Sequence, residues 1–200
     1  VHIPGGLFED AVNQGVAKGY TKGYLRKSSV AEPLFERKNT GDNTPAVIHT
    51  RLVAGDRITL KLAPKGAGSE NKGALHMLVP ADGIEGVKTA VVETIRHAGA
   101  SPCPPMVIGV GIGGNMELAC LCAKKACARD VESHNPDPRY ARLEDELLEL
   151  VNKLGTGPAG LGGSVTAFKV NVEFCATHIA SLPVAVNINC NAARHAEAVL

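Results

Sequence analysis

Between residues 82 and 189 the apolar side chains switch repeatedly between helical and strand-like patterns, and that switching limits the folds open to the chain. Asp82 and Glu85 open a helical stretch in which Ile84, Val87, Val91, Ile95 and Ala98 share one face until Gly99 stops it. Residues 105–110 (PMVIGV) then run apolar like a short buried strand, and a second helix follows the glycines from about Asn115 to Arg129. Pro136 and Pro138 start a third helix, with Leu143, Leu147, Leu150, Val151 and Leu154 as its core stripe. Residues 164–174 and 183–189 read as strands. Upstream, Phe8, Val12, Val16 and Tyr20 mark a helix, and residues 46–53 and 57–63 alternate on either side of Gly55 and Asp56 as a β-hairpin would. Alternating helices and strands predict an α/β fold, a mixed β-sheet flanked by helices, with the early hairpin supplying the antiparallel part.

Composition narrows the function. The chain has 200 residues, 44% of them apolar, enough for one core, so residues 1–200 are expected to form a single domain. Twenty-one basic residues against twenty acidic ones leave a net charge of +1, which gives nucleic acid no basic field to bind. Aromatics make up 4% with no Trp, which argues against a base-stacking platform. No apolar run reaches the roughly 18 residues that span a bilayer. Six cysteines are too dilute for a disulfide-stapled scaffold, and no signal-peptide pattern opens the chain, so a reducing, cytoplasmic setting is expected.

Three glycine-rich segments are candidate ligand loops. Gly109, Gly111 and Gly114 in GVGIGG have the G-x-G-x-x-G spacing of a dinucleotide site, with a strand before and a helix after. Asp130 and Glu132 follow no second apolar strand, so the acid that would hold a ribose is missing. An alternative function is nonetheless a nucleotide-binding oxidoreductase domain using Gly109–Gly114. GTGPAG, at 155–160, follows a helix and precedes a strand, the reverse order, and reads as a loop. Lys65 to Asn71 (KGAGSEN) is either an exposed turn or a loop that wraps an anion with successive N–H groups.

The cysteines include no C-x-x-C pair, so zinc-ribbon and thioredoxin readings lack their basic unit. Cys120, Cys122 and Cys127 fall inside the second helix and Cys175 at a strand end, where packing is expected. Cys103 and Cys190 lie in loops beside strands and can converge although 87 residues separate them. Arg194 and His195 would favour a thiolate at Cys190. Spacing alone leaves both packing and a shared metal site open.

At these same residues the sequence resembles the α part of the iron-sulfur-dependent class I fumarase and L-tartrate dehydratase family. The resemblance rests on LRKS (25–28), KNTGDNTPA (38–46), APKGAGSENK (63–72), PCPPMVIGVGIGG (102–114), NPDPRYARLE (135–144), GLGG (160–163) and THIASLPVAVNINC (177–190), which run in order over nearly the whole chain. It implies a hydro-lyase α subunit or domain that adds or removes water on a four-carbon dicarboxylate, fumarate/malate or tartrate. The implied cofactor is a [4Fe-4S] cluster with one iron open, for which Cys103 and Cys190 match two of three ligands. The third belongs to a C-Q-D-T-G motif expected upstream of the VHIPGG segment, and so upstream of Val1. The resemblance further implies substrate contacts from Arg26, Gly68 and His178, while Ala67 stands where the family's loop has glycine. The catalytic base is expected outside this chain, in a β subunit or C-terminal β domain, so the 200 residues alone are predicted inactive. A homodimer or an α/β heteromer is implied, with a small dicarboxylate as the other partner. A third reading is a non-catalytic fragment that folds and assembles with a partner.

Overall fold

The computed structural model describes residues 8–200; the VHIPGG segment lies outside the described residues. The chain divides into two compact units, Val1–Thr59 with Val199–Leu200, and Leu60–Ala198.

In the first unit, helix α1 (Phe8–Lys22) forms where the four-residue apolar spacing predicts it, with Glu9 and Asp10 near its positive end and Lys22 near its negative end. None of its residues is fully buried. Beyond it the chain is held by side chain–backbone bonds and by an isolated antiparallel bridge between Val30 and Asn39. Asn43 Oδ1 accepts from the N–H groups of Ser28 (2.7 Å) and Ser29 (3.1 Å), and Asn39 Nδ2 donates to the Lys27 carbonyl at 3.1 Å. The predicted hairpin is absent. Residues 46–53 contain no strand, because Val47, Leu52 and Val53 are 87%, 95% and 68% exposed and their alternation has no apolar face to meet.

The second unit holds the core. The strands are β1 (Thr59–Leu62) and β6 (Ala196–Val199), whose outer residues Thr59 and Val199 belong to the first unit, and, wholly in the second, β2 (Ala74–Leu78), β3 (Met106–Gly113), β4 (Ala167–Cys175) and β5 (Leu182–Asn189). The helices of the second unit are the single-turn α2 (Ala67–Glu70), α3 (Gly83–Ala98), α4 (Met116–Cys127) and α5 (Pro138–Asn152). Strands β2, β5, β3 and β4 make a four-stranded sheet in that order; β3 and β4 are parallel, and β5 runs antiparallel to both β3 and β2. The sheet is therefore mixed, as expected, but β5 rather than a hairpin makes it so. The residues predicted for the second hairpin arm supply β1, which pairs with β6 at the far end of the chain.

Side chains alternate across β3, and the two faces are built differently. Ile108, Val110 and Ile112 join Val87, Val91 and Ile95 of α3 and Leu143, Leu147 and Val151 of α5 in one continuous core. Gly109 and Gly111 face the other way, onto α4. A Cβ on Gly109 would lie 2.2 Å from the Ala123 carbonyl oxygen, and one on Gly111 would lie 2.0 Å from that of Ala119. Only glycine lets the helix backbone come this close to the strand, and the small side chains of Ala119, Ala123 and Ala185 complete the contact.

The helix ends follow local chemistry. Asn115 caps α4 by accepting from the Leu118 N–H at 2.9 Å, and Asp137 caps α5 through the Arg139 N–H at 2.9 Å. Asp82 sits at the start of α3 as predicted, but its carboxylate accepts from the Val79 N–H (2.9 Å) in the preceding turn instead of capping the helix. Gly99, with φ of 54°, ends α3. Glu144 of α5, 1% exposed, accepts from Arg129, from the Val172 N–H (2.7 Å) and from the Asn135 N–H (3.1 Å), fastening α5 to β4.

Candidate functional site

The loops that carry the two candidate cysteine ligands meet at one end of the sheet. Cys103 precedes β3 and Cys190 follows β5, and the antiparallel register of these strands (Val107 opposite Asn189) brings the loops side by side. The Asn191 N–H donates to the Cys103 carbonyl at 3.2 Å. That oxygen and that nitrogen each lie about 2.4 Å from the Cα of the cysteine concerned, so the two Cα atoms are at most about 8 Å apart. Cys103 is exposed and Cys190 half-buried. Cys103 has φ of 57°, in the left-handed region that a non-glycine residue enters at a cost of roughly 1–3 kcal/mol, and its N–H bonds the Ala100 carbonyl at 3.0 Å.

Other segments close around this end. A Cβ on Gly68 would stand 3.3 Å from the Ser101 carbonyl oxygen, which places the Lys65–Asn71 segment against the Cys103 loop. The Ala159 N–H donates to the Pro104 carbonyl at 3.0 Å, so the segment read from sequence as a plain loop also braces it. Asn189 Nδ2 and His195 Nε2 are 3.0 Å apart, and burial pushes the His195 imidazole below its usual value.

The Gly68 segment is exposed at Gly66, Ala67, Gly68 and Glu70. It forms α2, with Ser69 buried and its hydroxyl donating to the Gly66 carbonyl at 3.0 Å. Glu70 receives Lys124 of α4 on both carboxylate oxygens (2.6 and 2.7 Å), together with Lys65 and Asn187 Nδ2 (3.3 Å). Burial alone would raise the Glu70 carboxyl, but hydrogen bonds and charge from Lys124 and Lys65 outweigh it and hold the group at about 2. Lys65 itself is pushed down by burial despite its pairing with Glu70. Sequence reasoning did not pair Glu70 with Lys124, since 54 residues separate them and nothing local marks the partner.

His178 lies at the opposite end of the same sheet. The Gly114 N–H donates to the Ala176 carbonyl (3.1 Å) and Thr177 Oγ1 donates to the Gly114 carbonyl (2.8 Å), fixing this segment beyond the last residue of β3. From Met106 to Gly113, seven rises of roughly 3.3 Å put about 23 Å between the two ends. His178 is exposed, and its Nδ1 accepts from the Ala180 N–H at 3.1 Å. The neutral ring therefore presents Nε2–H as an outward donor. Arg26 is exposed in the first unit, in the LRKS segment that the Asn39 and Asn43 side chains of KNTGDNTPA hold in place. The structure thus brings together Cys103, Cys190 and Gly68 in the second unit and sets His178 apart from them.

The dinucleotide reading is corrected. Gly109 and Gly111 are buried within β3 beneath α4 and expose no N–H row to a phosphate, because their spacing serves strand–helix packing. The helix cysteines also differ from one another. Cys127 is buried, its thiol donating to the Asn187 carbonyl at 3.1 Å; Cys122 is half-buried; Cys120 is exposed rather than packed, because it faces away from the sheet.

The sequence profile described as fumarate hydratase (Fumerase) matches residues 1–199. The chain belongs to this family. It is 46% identical over 94% of its length to a Methanocaldococcus jannaschii protein named "Putative L(+)-tartrate dehydratase subunit alpha", of which it covers 67%. It is 35% and 34% identical, again over 94% of its length, to the L(+)-tartrate dehydratase α subunits of Escherichia coli UTI89 and K12, covering 63% of each. The chain thus spans about two thirds of the length of these relatives. Among the described residues, no helix is long and apolar enough to cross a membrane, and no group of three or more His, Cys, Asp or Glu side chains converges to hold a metal.

Proposed function

We propose that residues 1–200 are a single α domain of an iron-sulfur-dependent hydro-lyase, cytoplasmic, acting on a four-carbon dicarboxylate of the fumarate/malate or tartrate type. The observation that carries this reading is the Asn191–Cys103 hydrogen bond, which sets the two loop cysteines side by side in a member of the fumarate hydratase family. Two thiols on adjacent loops, one exposed and one half-buried, form a soft donor set suited to iron. Cys103 and Cys190 would hold a [4Fe-4S] cluster together with a third cysteine outside these residues. When bound, the cluster supplies an open iron that acts as a Lewis acid toward a substrate hydroxyl.

The chain's own groups do the binding. Arg26 offers a planar fork that pairs with a carboxylate through two parallel hydrogen bonds. The Gly68 N–H, in the segment that lies against the Cys103 loop, would donate to a carboxylate oxygen. His178 contributes an Nε2–H donor. Because the sheet separates His178 from the cysteine end of its own copy, a homodimer in which one copy's His178 serves the other's cysteine end reconciles the two. A β subunit or β domain supplies the base.

Anaerobic treatment of the complete α/β assembly with iron and sulfide tests the reading. A brown protein that dehydrates malate or a tartrate enantiomer, and that loses colour on Cys103→Ser or Cys190→Ser, is the expected result. Undiminished colour in both variants would remove these residues as ligands, and measurable fumarate hydration by the isolated 200 residues would remove the need for an outside base. Mixing Cys103→Ser with His178→Ala copies should restore about a quarter of wild-type activity if the site is shared across a two-fold dimer, and none if it is not.

A further inference from the structure

Cys122 and Cys175 are paired by the fold in a way unconnected with the loop cysteines. Cys122 lies on α4 and Cys175 is the last residue of β4, 53 positions later, yet their sulfurs stand 3.6 Å apart. Both are half-buried, so a small reagent can reach them. Two glycines leave the room. A Cβ on Gly114 would stand 2.9 Å from the Cys175 sulfur, and one on Gly111 would stand 2.9 Å from the Cys122 Cβ. The sulfurs are in van der Waals contact, and closing to a bond of about 2.04 Å requires a movement of roughly 1.6 Å, within reach of side-chain rotation.

We propose that Cys122 and Cys175 form a dithiol site that a small-molecule disulfide oxidises to an intramolecular disulfide. One thiolate attacks the reagent RSSR, forming a mixed disulfide and releasing RS⁻. The second thiolate attacks the protein sulfur of that mixed disulfide, forming the Cys122–Cys175 bond and releasing the other RS⁻. The protein loses two electrons and two protons, and RSSR becomes two RSH. Burial, reinforced by the neighbouring Cys175, pushes the Cys122 thiol up to about 11. Attack by the Cys122 thiolate is therefore slow at neutral pH and accelerates about tenfold for each unit by which the pH rises toward that value.

The full chain, purified reduced and without air, is incubated with oxidised glutathione at pH 7 and pH 9, quenched with an alkylating agent and mapped by mass spectrometry. The expected product has lost two hydrogens, carries a Cys122–Cys175 peptide pair, and forms faster at pH 9 than at pH 7. Cys122→Ser and Cys175→Ser each leave the remaining thiol as a glutathione adduct, and a Cys103→Ser/Cys190→Ser chain still forms the link. Crosslinks confined to other cysteines, or two unmodified thiols after exhaustive oxidation at pH 9, would overturn the proposal.

Discussion

Replacing Glu144 by Gln should cost this fold about 3 kcal/mol. The carboxylate is 1% exposed, and its three donors are Arg129 Nη1 (2.9 Å), the Val172 N–H (2.7 Å) and the Asn135 N–H (3.1 Å). Gln keeps the shape but offers one acceptor and one donor, so whichever way the amide faces, its NH₂ meets at least one N–H. The guanidinium, itself 14% exposed, loses its nearest counter-charge and keeps only Glu173 at 3.6 Å. Breaking a buried pair by removing one partner costs roughly 3–5 kcal/mol, and the remaining Glu173 contact places this case at the lower end. At about 2–4 °C per kcal/mol for a chain of this size, the melting temperature should fall by roughly 6–12 °C. Thermal and urea unfolding of wild type, Glu144→Gln, Arg129→Met and the double variant measure it. The double variant should be more stable than the sum of the single losses by over about 1 kcal/mol, because it leaves no charge unpaired. A single-variant loss under about 1 kcal/mol, or strict additivity, would refute the reasoning.

Other consequences are open to simpler measurement. The Glu70 carboxyl titrates near 2 in the folded chain against 4.5 otherwise, so its contribution is complete above about pH 4.5 and is lost as the pH falls toward 2. Glu70→Gln should flatten the acid limb of stability against pH over that window, and an unchanged limb would count against the Lys124–Lys65 clamp. Gly111→Ala places a methyl carbon 2.0 Å from the Ala119 carbonyl and should destabilise by several kcal/mol, read as a fall in urea midpoint, whereas Gly41→Ala meets nothing within 4 Å and carries only the cost of its positive φ. In metal-free protein, alkylation near neutral pH should label the exposed Cys103 and Cys120 well before Cys127, which burial pushes up to about 11. Equal labelling rates would show that α4 does not pack as described.

The elements of the second unit were legible because each long one carries its own period. The α3 and α5 stripes, the apolar runs of β3 and β5 and the Gly99 stop are all visible before any packing is known. The early hairpin misled because alternation reports a half-buried strand only where a core lies on one side, and around Val47 and Leu52 there is none. Strand β2 escaped notice because ALHML is too short to show a period, and β6 because AEAV, exposed throughout, has no apolar face. For the site, the loop positions of the cysteines left packing and a metal site open, the family resemblance singled out Cys103 and Cys190, and strand register sets their loops side by side. Glu70 with Lys124, and Cys122 with Cys175, were invisible because nothing local marks a partner 54 or 53 residues away.

Both hidden pairs trace back to the glycines that resembled a nucleotide loop. With Gly109 and Gly111 under α4, the helix backbone lies against β3 closely enough that a side chain larger than hydrogen cannot stand between them. That approach carries Lys124, near the last turn of α4, to the carboxylate that holds the Gly68 segment, and carries Cys122, further back on the same helix, to the sulfur at the end of β4. A larger residue at either glycine would push α4 outward and loosen both contacts together, although they serve different segments of the sheet. The G-x-G pattern is thus informative about function only indirectly. Buried under α4, it sets the depth of the helix whose Lys124 holds the Gly68 segment through Glu70.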